Sequence, residues 1–285
     1  MKKKILLTGS NGFVGSIFKR EYSQKYEIFE VDLPDYDISK NNFLFNKFEK
    51  ITFDSIIHLG AVSSPKESFE NPEKYYQINL MGTLNLLEFA KNRDIPNFFF
   101  MSSLTVHGES NKIIDENSKI NPRHIYASTK AAAETLCYVY SQKYKITTNI
   151  LRPNLIIGVT KNPSDLISST IKELKENNTY TVFGNGEHKR DWTHVKDVVA
   201  LIDNLIFFEG NNYNVFCLGD NKYSVNYIFD KIKKHFPQCR RIEKQKNTSS
   251  FDLFCSNNKI DMLTKWKPKI SIEKMIEESL SVHAN

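Results

Sequence analysis

The beginning of the chain constrains it most. A short apolar run, Lys4-Ile5-Leu6-Leu7-Thr8, passes directly into Gly9-Ser10-Asn11-Gly12-Phe13-Val14-Gly15. A buried strand, then three glycines at a Gly-x-x-Gly-x-x-Gly spacing, then a helical stretch, is the pattern of a phosphate-binding turn. The first glycine permits a tight turn. The second lets a pyrophosphate approach the backbone, and the third allows the helix to pack closely on the strand. The helix that opens at Phe13 and Val14 offers unpaired N–H groups and a favourable dipole. Gly9, Gly12, Phe13, Val14 and Gly15 are therefore candidate cofactor residues. Asp32 closes the second apolar run, 23 residues after Gly9. An acid at about that distance accepts hydrogen bonds from the adenosine ribose and repels a 2′-phosphate. No arginine follows in Leu33-Pro34-Asp35, so NAD is favoured over NADP. Asp37 and Ile38 are candidates to flank the adenine.

Strand and helix signals alternate through the first half. Apolar runs at 4–8, 28–32, 55–59, 98–102 and 148–152 suit buried parallel strands. Between them, residues 72–92 carry a helical apolar stripe with Pro72 in the first turn, and a second helix is expected over 126–144. The alternation predicts an α/β fold, a Rossmann-type doubly wound parallel sheet with a smaller mixed α/β C-terminal lobe. After about residue 158, Gly184-Asn185-Gly186 and Gly210-Asn211-Asn212 punctuate shorter elements. We expect an NAD-binding domain over 1–157, rejoined by about 190–218. Residues 158–189 and 219–285 would then form the substrate-binding lobe, with 249–258 as polar loop.

Composition narrows the class. The 285 residues are 40% hydrophobic and 25% charged, ordinary for a globular chain with a real core. No apolar run reaches membrane-spanning length. The basic start followed by apolar residues reads as a first strand, because the run ends too soon for a secretion signal. The net charge of +6 is spread along the chain with no recognition motif, which argues against nucleic-acid binding. Four cysteines without metal-type or disulfide-type spacing suit the reducing cytoplasm, and no metal site is expected.

Tyr126 and Lys130 lie four residues apart, on one face of the expected helix. Free tyrosine has a pKa of about 10, and a nearby ammonium favours the phenolate. Such a tyrosine can exchange a proton with a hydroxyl or carbonyl whose carbon loses or gains hydride. Ser102-Ser103 falls at the end of a strand upstream, and the Ser103 hydroxyl can bond the reacting oxygen.

Together these pieces resemble the extended short-chain dehydrogenases, the NAD-dependent epimerase/dehydratase family that includes UDP-galactose 4-epimerase. The resemblance covers nearly the whole chain. It runs from the Thr8–Gly15 turn through His58-Leu59-Gly60-Ala61, Asn79 with Gly82-Thr83, and Ser102-Ser103 before Val106-His107-Gly108. It continues with Tyr126 and Lys130, Arg152-Pro153, Gly184-Asn185-Gly186, Arg190-Asp191-Trp192 with His194-Val195 and Asp197, and Trp266-Lys267-Pro268. It implies Ser103, Tyr126 and Lys130 as the catalytic triad, with Tyr126 and Lys130 also touching the cofactor. It places Leu59, Gly60 and Ala61 near the pyrophosphate and ribose, and Asn79 near the nicotinamide. On the substrate side it implies Ser64 and Ser103 for the sugar, Arg190 for a diphosphate, and Val182 and Phe183 near the nucleobase. A homodimer built from the helices near 72–92 and 126–144 is also implied. Trp192 and Trp266 read as core.

Four departures fall on the substrate side. Leu104-Thr105 succeeds Ser103, where the sugar-nucleotide 4,6-dehydratases carry an Asp-Glu pair. His107 replaces a usual tyrosine and is expected to be packed or exposed rather than to titrate. Asn154 stands one place before the family's usual substrate-binding asparagine. Lys246 is the nearest candidate for a C-terminal arginine that supports the diphosphate. The leading expectation is a nucleotide-sugar epimerase acting at C4 through a keto intermediate. The alternatives are a nucleotide-4-keto-6-deoxysugar reductase (a 4-ketoreductase), then a sugar-acid decarboxylase or a non-catalytic NAD-binding protein.

Overall fold

The structure, a computed structural model, describes residues 1–40, 42–110, 112–159, 165–219, 222–244 and 251–282. In chain order the elements are β1 (Lys4–Thr8), α1 (Phe13–Tyr22), β2 (Glu27–Val31), α2 (Asn42–Lys47), β3 (Ser55–His58), α3 (Pro65–Glu70), α4 (Pro72–Tyr75), α5 (Gly82–Asn92), β4 (Asn97–Met101), α6 (Ile125–Lys143) and β5 (Thr147–Pro153). Then come β6 (Leu155–Ile157), α7 (Leu166–Asn177), β7 (Thr179–Phe183), β8 (Lys189–His194), α8 (Val195–Leu205), β9 (Tyr213–Leu218), β10 (Lys222–Ser224), α9 (Val225–Lys233), β11 (Arg240–Lys244), α10 (Asn258–Thr264) and α11 (Ile272–Val282). The chain forms two compact units. One comprises Met1–Gly108, Glu116–Arg152 and Val199–Phe216; the other comprises Glu109–Asp115, Pro153–Val198 and Cys217–Asn285. Among the described residues no helix is long and apolar enough to cross a membrane.

The first unit is built on a sheet of order β2-β1-β3-β4-β5-β9, and each pairing among β1 to β5 is parallel. This is the doubly wound Rossmann architecture. The strands read as apolar runs because both faces are covered; β3 and β4 are buried along almost their whole length. From β1 the chain steps outward to β2, then returns to place β3 on the other side of β1. The carboxyl ends of β1 and β3 thus flank the topological switch point, where open α/β sheets bind ligands. One core face centres on Phe53, whose ring meets Phe29 and Phe48 edge-on at 5.2 and 5.5 Å and Phe89 at 6.3 Å. Such tilted contacts suit the aromatic quadrupole.

The expected helix over 72–92 is three consecutive pieces. Residues Tyr76–Met81 between α4 and α5 form a π-helical turn, whose wider winding is a frequent mark of functional sites. Its one inward polar group is Asn79, which is fully buried.

The second unit holds a three-stranded sheet, β10-β8-β6, and a parallel pair, β11-β7. Helices α7, α9 and α11 contribute Ile167, Ile171, Phe229 and Met275 to one core with Trp192. Trp192 and Trp266 are buried, and their indole N–H groups donate to Tyr223 O and Asp197 O, each at 3.1 Å. Within the expected loop over 249–258, Leu253 and Cys255 make single bridges to Arg190 and Ile114, and α10 already begins at Asn258.

Replacing Phe53 with alanine empties the centre of the aromatic group. We expect urea unfolding to show a loss of about 3–5 kcal/mol; a loss below about 1 kcal/mol would show that the neighbouring rings refill the space.

Candidate active site

The phosphate turn has the geometry its sequence implies. Gly9 sits at φ +69°, and a Cβ there would lie 2.7 Å from Gly60 N. A Cβ on Gly15 would lie 2.1 Å from Gly9 O. The two loops leaving β1 and β3 therefore touch backbone to backbone, and the first turn of α1 packs against them. Gly12 is the N-cap of α1 and supplies no side-chain cap, so the first N–H groups of that helix are left for a ligand. Phe13 and Val14 form that first turn and are half-buried. The Asp32 carboxylate accepts from Asn11 N at 2.7 Å and Leu33 N at 2.8 Å. It is thereby fixed at the edge of the turn, where a ribose would meet it. A cradle that excludes any Cβ, an uncapped helix start and an anchored carboxylate fit a dinucleotide.

The two loops are joined by a buried chain of hydrogen bonds centred on His58. Thr83 Oγ1 donates to Asn79 O at 2.6 Å, so it accepts from His58 Nε2 at 3.0 Å. That leaves His58 Nδ1 to accept from Thr8 Oγ1 at 2.7 Å, while Thr8 Oγ1 accepts from Gly60 N at 3.1 Å. The logic fixes one tautomer of a neutral imidazole. Burial, with Lys130 nearby, holds the His58 pKa well below its usual value. Asn79 continues the chain. Its amide bonds both backbone groups of Val62 at 2.9 Å and donates to Thr129 Oγ1 at 3.1 Å. Here Asn79 braces the loop after β3, the loop that carries Leu59, Gly60 and Ala61. Asp37 accepts from Ser39 N and Oγ at 2.9 and 2.7 Å. Ile38 turns inward against Gly82 and lies in the core, so its side chain does not flank an adenine.

Ser103, Tyr126 and Lys130 are brought together where β4 meets α6. Ser103 caps a short 3₁₀ turn over Leu104–His107, accepting from Thr105 N at 3.2 Å, and its Oγ also bonds Thr105 Oγ1 at 2.8 Å. Ser103 also lies close enough to the Tyr126 phenol to pull its pKa downward. Lys130 is buried. Its ammonium donates to Met101 O at 2.8 Å and lies 4.7 Å from the centre of the Phe100 ring.

The expected phenolate needs the positive nicotinamide ring as well as the lysine, and the protein's own groups pull the other way. A lysine one turn away suggests an acidified phenol. Instead burial pushes Tyr126 up to about 12, against the pull of Ser103, and Tyr75 adds to the rise. Lys130 is brought down to about 7 by burial, opposed by Cys137 and Glu134. Burial dominates both groups: it disfavours the phenolate and the ammonium alike, so the two charged forms do not support each other. The chain by itself holds Tyr126 as the neutral phenol.

Two further residues at this site carry no motif. His124 is the N-cap of α6, its Nδ1 accepting from Ala127 N at 3.1 Å, and its ring stacks on Tyr126 at 5.8 Å and 7°. Glu134, one turn beyond Lys130, is buried against Arg152. A histidine two residues before the tyrosine, and an acid within an otherwise buried helix face, were the available signals.

The remaining candidates are more scattered. Ser64 is exposed and caps α3, accepting from Glu67 N at 3.2 Å. In the second unit, Arg190 donates to the carbonyls of Lys189 and Phe251 and stacks on the Phe251 ring at 5.1 Å. Burial lowers its pKa to about 10, opposed by Asp252. Asn154 Nδ2 donates to Leu253 O at 2.5 Å. Val182 and Phe183 alternate across β7, so Val182 is core and Phe183 is exposed; the Val182 side chain is not available to a base. Lys246 lies outside the described residues. His107 packs as expected, with Nδ1 against Lys119 O at 3.1 Å and Nε2 against Arg152 Nη1 at 3.1 Å.

The chain is similar to known proteins along most of its length. The sequence profile of the NAD dependent epimerase/dehydratase family matches residues 5–219. The chain is 26% identical to a UDP-glucuronate 4-epimerase from Thermodesulfobacterium geofontis, over 91% of this chain and 80% of that one. It is 30% identical to a dTDP-D-glucose 4,6-dehydratase from Dictyostelium discoideum, over 76% of this chain and 58% of that one. The fold superposes on UDP-glucose 4-epimerase from Thermotoga maritima with a TM-score of 0.91, at 23% identity and with 99% and 98% of the two chains covered. The chain belongs to the NAD-dependent epimerase/dehydratase family of extended short-chain dehydrogenases. It is accordingly an NAD-dependent enzyme of the nucleotide-sugar epimerase/dehydratase type.

The cradle gives a direct test. Gly15→Ala puts a methyl group into the Gly9 carbonyl, so calorimetric titration with NAD is expected to show at least about tenfold weaker binding, the equivalent of about 1.4 kcal/mol. Unchanged affinity would remove the dinucleotide from this turn.

Proposed function

We propose that this chain is a nucleotide-sugar 4-epimerase in which Tyr126 exchanges the proton of the sugar's 4-hydroxyl. Its support is the convergence of Ser103, Tyr126 and Lys130 at the end of β4, beside a turn shaped for a dinucleotide. Bound NAD supplies a hydride acceptor and, in its reduced form, a donor. In the epimerase cycle Tyr126 starts as the phenolate, its own proton released to solvent under the positive charge of bound NAD; Oη then accepts the proton that leaves the 4-hydroxyl as the keto sugar forms and returns it when the alcohol is restored. Ser103 Oγ bonds the same sugar oxygen beside the phenol, keeping donor and acceptor aligned. Lys130 lends positive charge to the phenolate form once the phenol is deprotonated. Asp32 supports NAD over NADP, because a fixed carboxylate repels a 2′-phosphate.

The two residues after Ser103 disfavour elimination of water. Leu104 is buried, and the Thr105 hydroxyl is bound to Ser103 Oγ. Neither is an acid or base for dehydration. In the second unit Arg190 carries a guanidinium suited to a diphosphate and Phe183 an exposed ring suited to a base; in the first, Ser64 carries a hydroxyl suited to a sugar. Tyr76, Met81, Tyr138 and Val139 expose apolar surface on the π turn and α6, which supports a homodimer through those helices.

One observation favours a second reading, the 4-ketoreductase. A phenol held neutral up to about 12 is prepared to give a proton to a carbonyl rather than to take one. The two readings separate on net redox change. UDP-glucose and UDP-glucuronate deuterated at C4 would be incubated without added cofactor and monitored by proton NMR. The epimerase yields the C4 epimer with deuterium retained at C4, and Tyr126→Phe lowers the rate by about 10²–10⁴-fold. Epimerisation at an undiminished rate in Tyr126→Phe would sink the assignment, and turnover that requires one reduced cofactor per product would establish the reductase.

A further inference from the structure

Three consecutive residues at the end of β4 each meet one residue of α6. The Met101 carbonyl takes Lys130, the Ser102 hydroxyl donates to the Glu134 carboxylate, and the Ser103 hydroxyl meets Tyr126. On the helix these partners stand at positions i, i+4 and i+8, along one face. Nothing in the reaction as described uses Glu134, yet it is the most firmly held of the three. Arg152, at the end of β5, bonds it with both arms: Nε to Oε1 at 2.9 Å and Nη2 to Oε2 at 2.5 Å. The remaining arm of Arg152 reaches His107 Nε2, at the end of the 3₁₀ turn that Ser103 begins. His107 Nδ1 faces Lys119 O, so the ring donates there and accepts from the guanidinium.

We propose that Glu134 is a positioning residue for the reaction: clamped by Arg152 and Ser102, it holds Lys130 as the ammonium and locks the end of β4 that carries Ser103. A buried salt bridge by itself is weak evidence for stability, because desolvation offsets most of the attraction. Here the pair has another consequence. The groups around Lys130 are the neutral His58 from β3, the Phe100 ring and Met101 carbonyl from β4, and Cys137 and Glu134 from its own helix; Arg152 from β5 joins this set through Glu134. The buried ionic set is thus two cations and one anion. Without Glu134 the buried ammonium loses a carboxylate that opposes its discharge, and between Lys130 and Arg152 the lysine is the group able to discharge. Burial already brings it down to about 7, with Glu134 among the groups opposing that fall.

The proposal rests on Lys130 serving the reaction, so its test is read without turnover. Lys130 would be observed by NMR in protein labelled at lysine Cε, assigned by its disappearance in Lys130→Met. In Glu134→Gln we expect the Lys130 titration to move down by about one pH. That lowers the charged fraction on the alkaline side about tenfold, and the alkaline limb of kcat moves with it while KM stays within about twofold. Arg152→Met strips the buried carboxylate of its cation, which favours its neutral form, and is expected to move the Lys130 titration in the same downward direction, so the test stands even if Glu134→Gln does not fold. A purely structural pair would lower the unfolding temperature in both variants and leave the titration in place, which would overturn the proposal. Normal turnover by Lys130→Met would instead defeat the catalytic reading and leave the titration result intact.

Discussion

The close approach of two loops at the sheet's switch point sets the rest of the site. With β2 on one side of β1 and β3 on the other, the chain leaving β1 and the chain leaving β3 meet at Gly9 and Gly60, too closely for any Cβ between them. Contact at that distance brings Thr8 within reach of Gly60 N and of His58. His58 in turn fixes Thr83 and, through it, the turn that points Asn79 at Val62. One steric demand thus propagates through a neutral, fully bonded histidine to both walls of the cofactor turn. A buried polar chain of this kind is worth keeping only when every member is satisfied, and each member of this one is.

The chemistry depends on a second alignment, the end of β4 against one face of α6. Tyr126, Lys130 and Glu134 recur every four residues, so a straight helix presents all three to three successive strand residues. Burial supplies the energy scale. It raises the phenol and lowers the ammonium, moving Tyr126 and Lys130 away from the charged forms that hydride chemistry requires. The site therefore works against its own desolvation, and its charge state is set by what is brought to it and by the Glu134–Arg152 pair behind it.

Much of this was legible in the sequence because it is local. A strand, three glycines and an acid at the end of the next strand define the cofactor turn within one stretch of chain, and Gly9, Gly15 and Asp32 stand as their spacing implies. The Tyr126–Lys130 spacing likewise encodes a shared helix face. What was not legible depends on residues far apart in the chain. The direction of the Lys130 ammonium is set by a carbonyl on β4, 29 residues earlier, and the burial that raises Tyr126 and lowers Lys130 comes from packing of the whole site. Asn79 is turned inward by a π-helical segment that the apolar stripe over 72–92 does not reveal. Val182 and Phe183 are a different lesson. Strand alternation alone places them on opposite faces, so the pair cannot both reach a ligand, although motif resemblance treats them as one. Glu134 had no motif and became visible only through the ends of β4 and β5.

In a 4-epimerase the cofactor ends each turnover as it began and can stay with the chain. The most direct measurement is to purify the protein without added nucleotide, denature it, and identify and quantify any released dinucleotide by mass spectrometry. About one NAD per chain is expected for a self-regenerating epimerase that holds its cofactor in the cradle described. An empty protein that turns over only with reduced cofactor supplied in solution would contradict the claim and leave the reductase.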